Sequence, residues 1–257
     1  MDIDTGWDLL SDHIASCPGA AVAFSGGIDS TVLLSAVSGM FPDDHVAVFA
    51  DLPMLAERQR IAARNIAKEL GARFVSVKLS WDHLNGIRDN GADRCYICKK
   101  GIYSAAKNIA SEKGWTLMDG ENSSDNEDDR PGRRAAKEFG IISPLKDIGL
   151  PRRTVREMYD HLNLRNAVQK ETCMATRIPF GVPFDDEDIK FIDECEDLIR
   201  NVSGVRQIRM RLNNGEAKLQ TSPDTIRLLL NNEDRLHMAL YGKGIRKMHI
   251  DLEGYKE

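Results

Sequence analysis

The spacing of apolar and polar residues changes repeatedly along the first half of the chain, and each change marks an element. Residues 20–24 (AAVAF) and 45–50 (HVAVFA) are short, nearly unbroken apolar runs of the length expected for buried strands. Between them, Ile28, Val32, Leu33 and Ala36 recur at helical spacing, which predicts a helix over residues 29–37. Residues 5–16 predict a short helix leading into the first strand. A longer helix is predicted over 55–70, with Ile61, Ile66 and Leu70 turned inward and Gly71 ending it. The alternating RFVSVKL at 73–79 predicts a third strand, residues 102–113 a helix, 115–118 a fourth strand and 141–143 a short fifth.

Strands that alternate with helices predict an α/β fold, a parallel sheet with helices on both faces. Ligands of such sheets bind beyond the C-terminal ends of the strands. The texture changes near Phe184. Residues 185–199 predict an acidic amphipathic helix, and 205–212 and 216–220 predict a β-hairpin turned at Asn213-Asn214-Gly215. A helix near 224–230 and a strand at 247–252 complete a small α+β module. The expected domains are therefore 1–180 and 181–257, divided around Pro179 and Pro183.

Composition narrows the classes. With 42% hydrophobic and 29% charged residues in 257, the chain has ordinary globular content and enough apolar surface for a sizeable core. A formal net charge of −5 gives no global case for binding nucleic acid. No apolar run reaches bilayer length, and the acidic start MDIDTGWDLL lacks the regions of a signal peptide, so a cytoplasmic protein with no membrane partner is expected. Five cysteines are an odd number and do not suit a secreted disulfide framework; metal binding or sulfur chemistry is the better expectation.

The stretch Ser25-Gly-Gly-Ile-Asp-Ser30 sits between the first strand and its helix. Two glycines let the backbone approach a ligand, and successive N–H groups at a helix start suit an anion. No Gly-Lys-Ser/Thr follows, so this is not a Walker A loop. It resembles the SGGxDS signature of the PP-loop ATP pyrophosphatases, which split ATP between the α and β phosphates and transfer AMP to a substrate oxygen. The resemblance implies that Ser25, Gly26, Gly27, Asp29 and Ser30 cradle the pyrophosphate, with Asp29 near Mg2+.

Three cysteines stand in distinctive settings: Cys95 and Cys98 in RCYICK, and Cys173 in CMATRIPFG. Three thiolates can hold three irons of a [4Fe–4S] cluster and leave the fourth open to an exogenous ligand. The rival readings are a disulfide-forming pair with a separate persulfide-carrying Cys173, and a purely structural site. Cys17 and Cys195 lack any motif and read as ordinary part-buried residues. Arg209 and Arg211, two apart in the predicted hairpin, share a strand face, and paired guanidiniums suit phosphate and carboxylate.

Together, RCYICK at 94–99, GENSSDNEDDRPG at 120–132, SPL at 143–145, TVRE at 154–157 and CMATRIPFG at 173–181 resemble the LarE family of ATP-dependent sulfur transferases, in order and with close spacing from Ser25 to about Gln220. That family builds the nickel-pincer nucleotide cofactor of lactate racemase. The resemblance implies adenylation of a carboxylate on a pyridinium mononucleotide, then replacement of AMP by sulfur. Some members sacrifice the sulfur of the cysteine matching Cys173; others carry the extra C-x-x-C and use a [4Fe–4S] cluster, and this chain looks like the second kind. The implied roles are catalysis for Cys173, Asp29, Cys95 and Cys98, and ATP contacts for Asn122 and Asp125. Mg2+ falls to Asp29 and Asp128, and substrate contacts to Arg177, Arg209 and Arg211. Two positions depart from the family's loop pattern, Glu121 for Thr and Ser124 for Asp. The implied partners are a small nucleotide substrate, sulfide or a sulfur-delivery protein, and further copies of the chain in a homo-oligomer. The alternative reading is a PP-loop enzyme that thiolates tRNA, against which the net negative charge weighs.

Overall fold

In the computed structural model, which describes residues 2–124, 131–165 and 171–255, the apolar runs become strands and the 3.6-periodic stretches become helices. The chain divides into two compact units, Met1–Ile87 with Ala92–Lys170, and Arg88–Gly91 with Glu171–Glu257.

The first unit contains α1 (Ile3–Ile14), β1 (Ala20–Ala23), α2 (Ile28–Met40), β2 (His45–Asp51), α3 (Glu57–Glu69), β3 (Phe74–Lys78), α4 (Arg94–Lys113), β4 (Thr116–Met118), α5 (Pro131–Phe139), α6 (Pro144–Asp147) and α7 (Arg152–His161). The strands form one all-parallel sheet in the order β3-β2-β1-β4. The α/β class follows directly from this arrangement. Strands buried on both faces must be apolar throughout, which is why β1 reads AAVA with no alternation. Ala20, Val22, Ala47 and Phe49 point into one core with residues of α1, α2, α3 and α7. Ala21, Val46 and Val48 point the other way, against Ala106 and Ala110 of α4.

Three local expectations are corrected. Periodicity places Ile61 inward, but it is 53% exposed, and α3 instead buries Ala63, Ile66 and Ala67 at i, i+3, i+4. The fifth strand is reduced to one parallel bridge between Met118 and Ile142. The helix expected at 102 starts eight residues earlier, at Arg94. Gly101 does not break it, because the helix needs a small residue there: a Cβ would lie 2.8 Å from Leu84 Cδ2.

In the second unit, α8 (Asp186–Ser203) is followed by β5 (Arg209–Asn213), β6 (Glu216–Gln220), α9 (Ile226–Leu230), α10 (Glu233–Tyr241) and β7 (Lys247–Ile250). The Asp185 carboxylate accepts the Glu187 and Asp188 N–H groups at 2.9 and 3.0 Å and starts α8, and three acidic residues fill its first turn. Asn213 pairs with Glu216, so Asn214 and Gly215, with φ of +49° and +76°, make a two-residue hairpin turn. β7 adds to β6 in parallel. Residues 88–91 join this unit: Asn90 Nδ2 donates to the Pro179 carbonyl at 2.9 Å, and Phe184 N–H to that of Arg88 at 3.0 Å. Among the described residues no helix is long and apolar enough to cross a membrane.

Candidate active site

The strand order reverses at β1: the chain moves outward through β2 to β3, then returns through α4 to β4 on the other side of β1. A crevice at such a reversal, beyond the C-terminal strand ends, is where α/β sheets bind ligands. β1 delivers Ser25, Gly26 and Gly27 to it; β4 delivers Asp119, Gly120, Glu121 and Asn122.

Hydroxyl groups fix the first loop. Gly27 N–H donates to Ser25 Oγ at 3.2 Å, and Ser25 Oγ lies 3.1 Å from Ser30 Oγ. Ser30 Oγ and Thr31 Oγ1 both donate to the Gly27 carbonyl, at 3.1 and 2.8 Å. Gly26 has φ +74°, and a Cβ there would lie 2.9 Å from that of Ala63, so only glycine lets α3 approach so closely. Gly27 is the N-cap of the 13-residue α2 and has no side chain to cap it. The first N–H groups of a helix lack carbonyl partners within the helix, and the dipole adds positive potential there. A loop held open by hydroxyls, with glycines where side chains would fill the cradle, fits the oxygens of a phosphate chain.

The β4 loop closes on the same helix start. A Cβ on Gly120 would lie 2.6 Å from Ser30 N and 2.8 Å from Asp29 C. Asn122, fully buried, donates Nδ2 to Asp29 Oδ1 at 3.2 Å and accepts Ser124 N–H at 3.0 Å. The fold thus brings Ser25, Gly26, Gly27, Asp29, Ser30 and Asn122 together. Asp125 and Asp128 lie outside the described residues. The two departures have local roles: Glu121 accepts Arg133 Nε at 2.5 Å with Lys146 Nζ 3.7 Å away, and Ser124 Oγ accepts Arg152 N–H, the start of α7, at 2.9 Å.

Asp119 belongs to this assembly although no motif marks it. Its buried carboxylate accepts from the Tyr103 hydroxyl, from Ser143 Oγ at 2.7 Å and from Glu121 N–H at 3.2 Å. Burial, reinforced by the Asp119 charge, pushes the Tyr103 phenol far above its ordinary range, so it stays a donor. The available signal is an acid directly after the apolar run of a strand, TLMD.

Cys95 and Cys98 lie in the first turns of α4 rather than ahead of it, because the helix begins at Arg94. Three apart, they share a helix face. Cys95 is exposed and Cys98 partly buried, and Lys99 Nζ next to them sits 3.0 Å from the Tyr103 hydroxyl. Among the described residues no three His, Cys, Asp or Glu side chains gather as a metal site. The pair by itself supplies two of the three thiolates that a cluster with one open iron needs.

In the second unit, partly buried Cys173 is the N-cap of the short 3-10 turn Met174–Arg177. Thr176 Oγ1 donates to its carbonyl at 2.7 Å. Arg177, 1% exposed, directs its guanidinium inward: Nε to Glu196 Oε1 at 2.8 Å, Nη1 to the Thr172 carbonyl at 3.1 Å, and Nη2 toward Glu171 at 3.4 Å. Its guanidinium nitrogens are met by acceptors of Glu171, Thr172, Thr176 and Glu196, which ties the group to the segment that carries Cys173. Arg211 donates Nη1 to the Thr176 carbonyl at 2.9 Å and Nε to Gln220 Oε1 at 2.5 Å. Arg209 packs its guanidinium over the Tyr255 ring, 4.2 Å from the centroid. Sequence reasoning misses Glu196, although it falls on the apolar stripe of α8 with Ile189, Ile192 and Ile199.

The cysteines should differ sharply in reactivity. Cys195 is fully buried on α8 and burial pushes its thiol up to about 11, whereas Cys95 is exposed. Iodoacetamide at mildly alkaline pH should label Cys95 in the native protein and spare Cys195 until denaturant is added, as read by peptide mass spectrometry. Equal native labelling would contradict the inward face of α8.

The chain matches no model of a known protein family. It is 31% identical over 238 residues to the pyridinium-3,5-bisthiocarboxylic acid mononucleotide synthase of Lactiplantibacillus plantarum, covering 91% of this chain and 86% of that protein. It is 30% identical over 240 residues to an uncharacterized protein of Methanocaldococcus jannaschii, covering 91% and 90%. A third relative, an uncharacterized protein of Synechocystis, is 27% identical over 241 residues, covering 92% and 90%.

Proposed function

The chain belongs to the LarE family, and from that premise we propose that it is an ATP-dependent sulfur transferase acting on a carboxylate of a pyridinium mononucleotide, in nickel-pincer cofactor biosynthesis. The observation that carries the reading is the glycine-lined cradle at the start of α2, closed by Gly120 and Asn122 at the reversal of strand order.

A carboxylate oxygen is a poor leaving group, and adenylation corrects this. The substrate oxygen attacks the α-phosphorus of ATP, the bond to the β-phosphate oxygen breaks, and pyrophosphate departs. In this reading the N–H groups at the start of α2, with Ser25 and Ser30, stabilise the negative charge that grows on pyrophosphate. Asp29, oriented by Asn122, holds Mg2+ together with Asp128, and Asp125 contributes to the nucleotide contacts. Sulfur then attacks the acyl carbon and AMP leaves with the electron pair, giving a thiocarboxylate. Arg209 and Arg211 take the anionic groups of the substrate, and Arg177 holds the Cys173 turn.

For the sulfur source, the proposal is a [4Fe–4S] cluster on Cys95, Cys98 and Cys173, fed by sulfide or a delivery protein. Held by those three thiolates, such a cluster would supply sulfur at the sulfide level for the transfer. Two measurements test the scheme. ATP, Mg2+, sulfide and a pyridinium dicarboxylate mononucleotide should yield AMP, pyrophosphate and a product in which sulfur has replaced oxygen; ADP as the sole nucleotide product would overturn it. Anaerobic reconstitution should load about four irons per chain, lost when Cys95, Cys98 or Cys173 becomes Ala. No specific iron would leave Cys173 as a sacrificial or persulfide donor, detectable as loss of one sulfur from the protein after turnover.

A further inference from the structure

Of the guanidiniums of Arg177, Arg200, Arg209 and Arg211 beside β5, three have protein acceptors. Arg177 and Arg200 both bond Glu196, and Arg211 bonds Gln220 and the Thr176 carbonyl. Arg209 differs: among the described residues its guanidinium makes no hydrogen bond and no ion pair, and it stacks on the face of Tyr255. The group is partly buried; desolvation first, then the charges of Arg177 and Arg211, disfavour its cation, while Tyr255 and the Glu171 carboxylate partly offset them. The Glu171 carboxylate that acts on it is already shared by Arg177 and Arg200, so this cation among cations is electrostatically incomplete, and an incoming anion would complete it.

The ring beneath it is held firmly. The Tyr255 hydroxyl donates to Gln207 Oε1, two residues before Arg209 on the approach to β5. Tyr255 N–H donates to the Thr221 carbonyl at 3.3 Å. Between β7 and the ring the chain bends sharply. Gly254 has φ +68°, and a Cβ there would meet the Thr221 carbonyl at 2.6 Å. Asp251 anchors the bend, accepting Gln220 Nε2 at 2.7 Å and facing Lys218 Nζ at 2.8 Å. The ring is buried, so it keeps one face against Arg209 and cannot turn away.

We infer that Tyr255 is a positioning residue for the substrate's anionic end: its ring, strapped down by residues 251–255, holds the Arg209 guanidinium in the one plane from which its N–H edge meets a phosphate or carboxylate. This rests on the substrate reading of Arg209 and deepens it. Arginine has many rotamers, and a ring that selects one in advance removes the ordering cost from the binding step. Guanidiniums stack readily on aromatic faces while leaving their in-plane donors available, which a carboxylate partner would not allow.

The test titrates nicotinate mononucleotide, a pyridinium carboxylate with a phosphate, and ATP separately, into the wild type, Arg209→Ala, Tyr255→Ala, Tyr255→Leu, Tyr255→Phe and the Arg209→Ala/Tyr255→Ala double variant. Tyr255→Ala and Tyr255→Leu should weaken the mononucleotide about tenfold, the size of a partly desolvated cation–π contact. Tyr255→Phe keeps the face and should recover most of that loss. The double variant should bind no more weakly than Arg209→Ala alone, because Tyr255 acts through Arg209. ATP affinity should be the same in all six proteins. Tyr255→Leu fills the space without a π face, so it separates this role from simple packing if Tyr255→Ala does not fold. Wild-type affinity in Tyr255→Leu beside a clear loss in Arg209→Ala would overturn the strap and leave the substrate reading intact. Unchanged affinity in Arg209→Ala would overturn both, and additive losses in the double variant would overturn the route through Arg209.

Discussion

Gly120→Ala should cut ATP turnover at least about a hundredfold although it adds a single methyl group. The new Cβ would sit 2.6 Å from Ser30 N, 2.8 Å from Asp29 C and 2.9 Å from Ser30 Cα. All three atoms are backbone, so no flexible side chain can move aside. Either β4 retreats or the start of α2 shifts, and the start of α2 is the proposed phosphate cradle. Overpacking of this kind costs about 1–3 kcal/mol in stability. Its effect on chemistry should be larger, because a displacement near 1 Å at a positioning element costs about a hundredfold in rate. Pyrophosphate release should therefore fall at least about a hundredfold while the melting temperature drops by several degrees. Gly26→Ala makes an informative companion: it combines φ +74° with a contact of 2.9 Å to Ala63 Cβ on α3, so it strains the same cradle from the opposite wall. Isothermal titration with ATP, with thermal melts of the same samples, would decide the matter. Wild-type ATP affinity in a folded Gly120→Ala protein would show that the phosphates bind elsewhere.

The sheet and the cradle were legible because both rest on short-range rules. AAVA and HVAVFA can be little else than doubly buried parallel strands, and Ser-Gly-Gly between strand and helix names its own geometry. The Asn214-Gly215 turn is equally local, since positive φ at both positions selects those residue types. What escaped depended on partners distant in sequence. Ile61 reads as a core residue until the short side chains of Ala63 and Ala67 are seen to let α3 press close to the sheet layer. The early start of α4 is hidden by its polar first turns and by Gly101, whose missing Cβ is explained only by Leu84. Asp119 and Glu196 are acids that look solvated in one dimension; Tyr103 and Ser143 give one its place, and Arg177 gives the other. Helix α7, RRTVREMYDH, buries Thr154, Val155, Met158 and Tyr159 on a narrow stripe that its five charged residues obscure.

Glu196→Ala should be the most destabilising single change in the second unit. The carboxylate is fully buried and accepts Arg177 Nε at 2.8 Å, Arg200 Nη2 at 3.1 Å and Met210 N–H at 3.0 Å. Replacing a whole buried pair with apolar groups can be neutral, but deleting one partner strands the other, which costs about 3–5 kcal/mol. Here the stranded group is Arg177, 1% exposed, left with Glu171 at 3.4 Å, and Met210 N–H loses its acceptor as well. Arg177 also donates to the Thr172 carbonyl and hydroxyl, so the segment that carries Cys173 loosens with it. Glu196→Gln keeps the shape and an acceptor for Met210 while losing the charge, and should fall between the two. The denaturant midpoint should drop in the order wild type, Gln, Ala, and Cys173 should be alkylated faster in the same order. ATP-pyrophosphate exchange should persist where the second unit stays folded, because the proposed phosphate cradle belongs to the first unit. If Glu196→Ala kept the wild-type midpoint and the wild-type labelling rate, the ion pair would be incidental and the Cys173 turn would owe its shape to Arg211 and the hairpin.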